Sequence, residues 1–270
     1  MQAKNNNVIA ILKQEEERAK KVRIFYILGA IAILILLVFS YVKSELNFWL
    51  LIRDWRNMWD LILDFFPPDF TYWKLYFDDT IVTIAIAIWG TLMAAIVSAP
   101  LSMMASTNIS PTWIVFLIRR LLDAMRAINE LVFALIFIVA VGLGPFAGVL
   151  AIFVHTTGTL GKLFSEAVEA IEPGPIEGIR ATGASKLQEI LFGVIPQVIP
   201  LWTSFTLYRF EANVRSASVL GIVGAGGIGV SLYQSFGSFD YPKVCAILII
   251  LILATSLIDL ASSQLRNWLI

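Results

Sequence analysis

The feature that most limits what this chain can fold into is a series of long runs without charge. Ile24–Val42, Thr80–Met104, Leu131–Gly161 and Ile190–Tyr208 hold no Asp, Glu, Lys or Arg, and Val244–Leu265 holds one acid, Asp259. A helix needs roughly 20 mostly apolar residues to cross the hydrocarbon of a bilayer. Backbone in that layer must satisfy its own hydrogen bonds, which selects helices. The composition points the same way: 58% of the 270 residues are apolar and 15% are charged, more apolar than one water-soluble core can hide. Disorder is excluded by the same numbers. Lys+Arg 20 balances Asp+Glu 20, leaving no net positive charge for a nucleic acid. One cysteine, Cys245, and one histidine, His155, exclude a disulfide framework and a Cys/His zinc cluster. The expectation is an all-α integral membrane protein.

Leu131–Gly161 is too long for one crossing. Gly142-Leu143-Gly144-Pro145 predicts a tight turn, with helices from about 128 to 143 and from about 145 to 164. Six spans follow, with both termini on one side. The N-terminal tail carries Lys4, Lys13, Arg18, Lys20, Lys21 and Arg23. The second connection adds Arg119, Arg120 and Arg126, the fourth adds Lys162, Arg180 and Lys186, and the C-terminal end adds Arg266. The other side has Lys43, Arg53, Arg56, Lys74, Arg209, Arg215 and Lys243, so the tally is 13 against 7. The positive-inside rule then places both termini in the cytoplasm.

The expected organisation is a cytoplasmic tail over 1–23, an anchor span over 24–43, an external segment over 44–79 and a membrane domain over 80–270. The first span is too long for a signal peptide core, and no small-residue cleavage site follows it at Ser44-Glu45, so it is expected to stay as an anchor. The external segment holds Trp49, Trp55, Trp59, Tyr72, Trp73 and Tyr76. Such rings collect at the membrane boundary, which predicts one or two interfacial helices. A contact surface for an external partner is the other reading.

The inner connection, 165–196, is the most informative segment. An acidic helical stretch, Glu166 to Ile171, meets Glu172-Pro173-Gly174-Pro175, which is expected to stop the helix. Then Ile176, Ile179, Gly183, Leu187, Ile190 and Leu191 recur at helical steps, with Glu177, Arg180, Lys186, Gln188 and Glu189 on other faces. This predicts one amphipathic helix over about 176–191, outside the hydrocarbon. Gly183 in mid-helix costs about 1 kcal/mol relative to Ala, which suggests close approach of another surface.

Glu177-Gly-Ile-Arg-Ala-Thr-Gly183, then nine residues, then Gly193-Val-Ile195-Pro196, resembles the EAA motif of ABC importer permeases. Glu177, Gly183 and Pro196 fall in register, while Gly178, Ile179, Gly193 and Ile195 depart from the motif. A longer series looks like the phosphonate-transporter (PhnE-like) permeases of binding-protein-dependent systems. It comprises Arg126-Ala-Ile-Asn-Glu-Leu-Val, Val141-Gly-Leu-Gly-Pro-Phe-Ala-Gly-Val-Leu, Gly161-Lys-Leu-Phe-Ser-Glu, Val219-Leu-Gly-Ile-Val-Gly-Ala-Gly-Gly-Ile-Gly and Phe239-Asp-Tyr-Pro. The resemblance covers about residues 75–265.

It implies a type I ABC importer permease fold for 80–270. It implies a coupling helix that docks on an ATPase subunit, with Glu177, Gly178, Arg180, Gly183, Ala184, Lys186 and Pro196 as the coupling residues. It further implies a pair of permease subunits, in the simplest case a homodimer, two ATPase subunits that bind ATP and Mg, an external binding protein, and a bacterial inner-membrane location. The cargo would be phosphonate, phosphite or a related oxyanion.

Two glycine patterns imitate nucleotide sites. Gly224-Ala-Gly226-Gly227-Ile-Gly229 matches G-x-G-x-x-G, but it lies in an uncharged run with no acid about 20 residues on, as a dinucleotide site requires. It reads instead as a re-entrant or tightly packed segment near the dimer axis or external gate, the alternative being plain helix packing through small residues. Gly178 to Ser185 has Walker A glycine spacing, but Ala184 stands where lysine is needed. The chain is therefore expected neither to hydrolyse ATP nor to carry a cofactor, catalytic residue or metal of its own.

Arg209 and Arg215 are expected at the outer end of the fifth span, with Glu211 between them; they either attract or pair with an anionic cargo, or snorkel or pair with Glu211 to fix the helix end. Arg126 and Glu130 are spaced for an i,i+4 pair or a gate. His155 reads as a packed, hydrogen-bonded histidine, Cys245 as inert. Asp259 is either a helix-end residue or a partner to a neighbour. The alternative function is an ion-coupled secondary transporter, which would show inverted repeats and midplane acids; neither is evident. A membrane enzyme would need convergent nucleophiles, acids or metal ligands, and none is apparent.

Overall fold

The computed structural model describes the backbone of residues 2–269 and the side chains of Arg18, Val22, Arg23 and residues 25–266. Lys4, Lys13, Lys20 and Lys21, used above for orientation, lie outside the described side chains. No strand occurs among the described residues. The chain divides into two compact units, residues 1–61 and 62–270.

In the first unit, α1 (Gln2–Lys43) is one continuous helix. Its Phe25–Lys43 portion is long and apolar enough to cross a membrane. Two short helices follow, α2 (Phe48–Arg53) and α3 (Trp55–Asp64). The Asn47 side chain caps α2 by accepting from the Trp49 N–H at 3.2 Å. Trp49, Trp55 and Trp59 are all exposed.

The second unit is built around two parallel helices, α4 (Trp73–Ala105) and α7 (Pro145–Glu169). Small residues let their backbones approach. A Cβ on Gly90 would stand 2.7 Å from the Ile152 side chain. Ile86, Ala87, Ala151 and Ile152 form one buried cluster there with Val214, Ala217, Leu220 and Ala225. A second cluster, Ala94, Leu160, Phe164, Val194, Val198 and Trp202, lies further along the pair. Phe164 and Trp202 stack at 4.7 Å, and the Trp202 indole N–H donates to the Phe164 carbonyl. Between the clusters, the buried Asn213 amide donates to Thr91 Oγ1 at 2.8 Å and Thr156 Oγ1 at 3.0 Å. That closed network fixes the register of three helices, because a one-turn slip would strand buried polar groups.

The remaining elements differ from expectation in two places. Arg119, Arg120 and Arg126 were expected in a connection. They lie on a helix, α5 (Thr112–Ala127), whose Val115, Ile118 and Leu122 are buried. Its charged face hides it from a search for uncharged runs. After a bend of 88° comes α6 (Glu130–Val141), then the foreseen turn and α7. The bent α5–α6 pair is long and apolar enough to cross only as one unit, so the described residues hold five candidate spans, or six with that pair. The second difference is α10 (Ile195–Leu220), preceded by α8 (Pro173–Ala181), α9 (Lys186–Gln188) and a π turn at Glu189–Val194. It continues twelve residues past Tyr208. A 3-10 turn, Gly221–Val223, leads to α11 (Ile228–Gly237) and α12 (Tyr241–Leu269).

Candidate functional site

At the end of α7 the chain turns at Ala170–Glu172 and starts α8 at Pro173, with Glu172 as N-cap. The acidic helix does end at this segment, as expected; the prolines themselves then open the next helix, because proline's fixed φ and missing N–H suit a first turn. The expectation of one helix over 176–191 is corrected. α8 ends at Ala181, and Gly183 has φ +82° with its N–H donating to the Arg180 carbonyl at 3.0 Å. This is a glycine C-terminal turn. A Cβ on Gly183 would meet nothing within 4 Å, so the close approach inferred for it does not occur within this chain. Ala184 follows, and Ser185 with Gln188 forms a capping box that restarts the helix at Lys186.

The two short helices are braced by charge. Arg180 donates through Nε and Nη2 to the two oxygens of Glu189, each at 2.9 Å, and Lys186 Nζ lies 3.7 Å from the same carboxylate. Bidentate pairing fixes angle as well as distance. The bonds to Glu189 hold the Arg180 guanidinium above its ordinary value, with Glu177 adding to the effect. Glu177, Arg180, Lys186 and Glu189 line a cleft of about 320 Å³. Gly178 lies within α8 with open space beside it, and Pro196 sits in the first turn of α10. The hinge is tied to its supports: the Glu172 N–H donates to Gln197 Oε1, while Arg119 and Thr107 both bond Glu169 Oε1, at 2.6 and 2.7 Å or less.

At the other end of α10, Gly224, Gly226 and Gly227 have φ of +96°, +81° and +74°. The turn is packed on all sides. A Cβ on Gly221 would lie 2.6 Å from the Gly229 Cα, and one on Gly226 would lie 2.8 Å from Pro145. The Gly144 N–H donates to the Gly224 carbonyl, and the Ile228 N–H donates to Thr83 Oγ1 at 2.8 Å. Ser231 donates to the Asp79 carboxylate. The G-x-G-x-x-G letters therefore describe a close-packed turn between helices; no strand precedes it.

The charged pairs inside the helices regroup relative to expectation. Arg126 bonds Asp123 at 2.8 Å instead of Glu130. Glu130 accepts from the Ser216 hydroxyl at 2.7 Å and lies 3.5 Å from His155 Nε2. The His155 Nδ1 proton goes to the Ile128 carbonyl at 2.9 Å, which fixes the ring at the α5–α6 bend. Glu211 pairs with Arg266 at 2.8 Å, and Arg215 pairs with Asp259 at 3.1 Å, so neither arginine beside Glu211 takes it. Arg209 Nε is buried without a hydrogen-bond partner. Arg209 and Arg215 both lie within α10, which continues past them to Leu220. Acids do lie within spanning helices: Glu130, Glu211 and Asp259 each have a partner. Ser216, Arg266 and Arg215, which meet Glu130, Glu211 and Asp259, stand 44 to 86 residues away along the chain, and no local spacing could have revealed them. Cys245 is buried and free. No group of side chains suited to a metal occurs among the described residues.

A core of long apolar helices, one of them a bent pair, carrying a stiffly braced charged hinge defines a subunit of a membrane transport system with the type I ABC importer permease fold. The family described as "binding-protein-dependent transport system inner membrane component" matches residues 98–270, and the chain belongs to it. A Stutzerimonas stutzeri protein named for a phosphite transport system permease, HtxC, is 36% identical over 260 residues, covering 96% of this chain and 91% of that one. The phosphite transport system permease protein PtxC of the same organism is 40% identical over 74% of each chain. Among solved structures, a chain of the inward-facing MetNI methionine ABC transporter superposes with a TM-score of 0.64 at 19% identity, over 73% of this chain and 96% of that chain.

Proposed function

We propose that this chain is the membrane subunit of an ATP-driven importer that carries small phosphorus oxyanions, such as phosphite or phosphonate, into the cytoplasm. The observation that carries this reading is the nearly end-to-end match to a protein named for phosphite transport. In this reading the chain pairs with a second permease subunit, either a copy of itself or a similar chain, in a bacterial inner membrane with both termini in the cytoplasm. The domain boundaries expected above, including the 24–43 anchor, belong to the same reading. An external binding protein delivers cargo, and two ATPase subunits bind ATP and Mg. With Ala184 in place of a Walker lysine, the chain itself hydrolyses nothing.

The α8–α9 hinge is the handle for the ATPase. Glu177, Gly178, Arg180, Gly183, Ala184 and Lys186 present charge and bare backbone to the partner, and the Arg180–Glu189 brace passes displacement through Pro196 into α10. ATP binding draws two such hinges together, which biases the spans between inward-open and outward-open states. Arg126, Glu130, Arg209 and Arg215 line the path, while the Gly224, Gly226, Gly227 and Gly229 turn forms the outer gate.

The test is uptake of phosphite into proteoliposomes holding the permease, its ATPase and the binding protein. Uptake is expected to require all three and ATP. Uptake driven by a proton or sodium gradient without the ATPase would make the chain a secondary transporter. Gly183→Trp is expected to insert normally yet lose co-purification with the ATPase; unchanged co-purification would remove the handle role.

A further inference from the structure

Beneath the α5–α6 bend lies a cavity of about 640 Å³ lined by Arg120, Asp123, Arg126, Ala127, His155 and Thr159. His155 stands ten residues along α7 from Pro145, or ~15 Å, about half the thickness of a ~30 Å hydrocarbon layer. The cavity runs from the level of His155 toward the C-terminal end of α7, since the Arg126 backbone packs beside Gly158 and Arg119, next to Arg120, bonds Glu169. Two guanidiniums face one carboxylate there. Arg126 bonds Asp123 Oδ1 through Nη2 at 2.8 Å and Nε at 3.1 Å, and Arg120 Nη2 lies 3.3 Å from Oδ2. Each guanidinium carries five N–H donors, so Asp123 occupies a minority of them. Both arginine side chains stay substantially exposed, 64% and 44%. Charge is expensive against lipid and is found facing protein or water. An open wall with surplus guanidinium donors is chemically matched to a tetrahedral oxyanion, which takes bidentate arginine.

We infer that this cavity is an anion station for the phosphorus oxyanion on its way inward, an inference that rests on the function proposed above. Arg126 and Arg120 bind the oxyanion. Asp123 is a built-in competitor: it holds the two guanidiniums together when the cavity is empty and reclaims them as cargo leaves. Conduction needs binding that is favourable on entry yet weak enough for exit, and an internal carboxylate supplies the weakness. His155 is a positioning residue, since its Nδ1 is committed to Ile128 and its Nε2 faces Glu130.

The experiment uses the permease–ATPase complex in detergent without binding protein, with phosphite as probe and ³¹P line broadening as readout, alongside phosphite uptake by the full transporter in proteoliposomes. Arg126→Gln is expected to weaken phosphite binding at least tenfold and lower uptake, and Arg126→Lys to restore part of both. Asp123→Asn is expected to tighten binding several-fold while slowing uptake, an opposite sign that general loss of fold cannot mimic. If Asp123→Asn binds phosphite no tighter than wild type, or if Arg126→Gln binds it equally well, the station is wrong. If the wild-type transporter moves no phosphorus oxyanion, the cargo reading fails first. If wild type and both variants move phosphite alike, the cargo reading stands and the station alone falls.

Discussion

The chain contains two glycine turns that imitate nucleotide-binding motifs, and they are physically opposite. Around Gly183 the backbone turns through a left-handed residue in open space, with no atom within 4 Å of an added Cβ. Around Gly221–Gly229 the backbone turns through left-handed residues wedged against α4, the start of α7 and itself. The first turn needs glycine for its φ alone. The second needs it for both φ and volume. The open turn is held by side-chain charge, Arg180 to Glu189, and so stays accessible to another protein. The packed turn is held by backbone contacts that leave no room for a side chain.

The sharpest way to break this contrast is Gly221→Ala, whose new methyl meets the backbone of Gly226 and Gly229. A loss of about 3 kcal/mol, at the upper end of overpacking effects, is expected as a large fall in the thermal midpoint of the detergent-purified protein. Next, Asn213→Leu leaves the buried Thr91 and Thr156 hydroxyls without their partner. It is expected to cost ~1–3 kcal/mol, with hydrogen exchange rising along α10. Gly183→Ala, in open space, is expected to cost only the left-handed strain of about 1 kcal/mol. Gly178→Ala, in the helix beside it, is expected to gain up to about 1 kcal/mol. Equal midpoints for Gly221→Ala and Gly183→Ala would erase the difference between the turns.

The smallest effect is expected at the outer surface. The Thr71 hydroxyl and N–H both donate to Asp69 and hold its carboxyl below its ordinary value of 3.8. A lowered carboxylate stabilises above its unfolded pKa and loses that contribution as pH falls through the folded one. The Thr71 contact is thus expected to be pH-independent from neutrality down to about pH 4, then to loosen, as read from the Thr71 amide shift. Movement of that shift between pH 6 and 8 would contradict it.

Much of the architecture was legible because burial in lipid writes itself as uncharged length. The α6–α7 turn at Gly142–Pro145 and the long α4, α7 and α12 helices were all readable in that way. α5 was not, because its one apolar face is diluted by Arg119, Arg120, Asp123 and Arg126. The end of α10 was not, because Arg209, Glu211 and Arg215 break the uncharged run while continuing the helix. At the hinge, the residues in register, Glu177, Gly183 and Pro196, were visible. The break at Gly183 was hidden, since helical spacing of apolar residues persists across a turn that costs only three or four positions.

By itself the sequence determined the solvent, the helical class and the approximate crossings, because each of these is set by local runs of side chains against a fixed membrane thickness. The tertiary structure alone decided which charge meets which. Glu130 to Ser216, Arg215 to Asp259 and Glu211 to Arg266 join residues 86, 44 and 55 positions apart. An ion held between helices chooses its partner by the way α6, α10 and α12 lie against one another, which no spacing along one helix encodes.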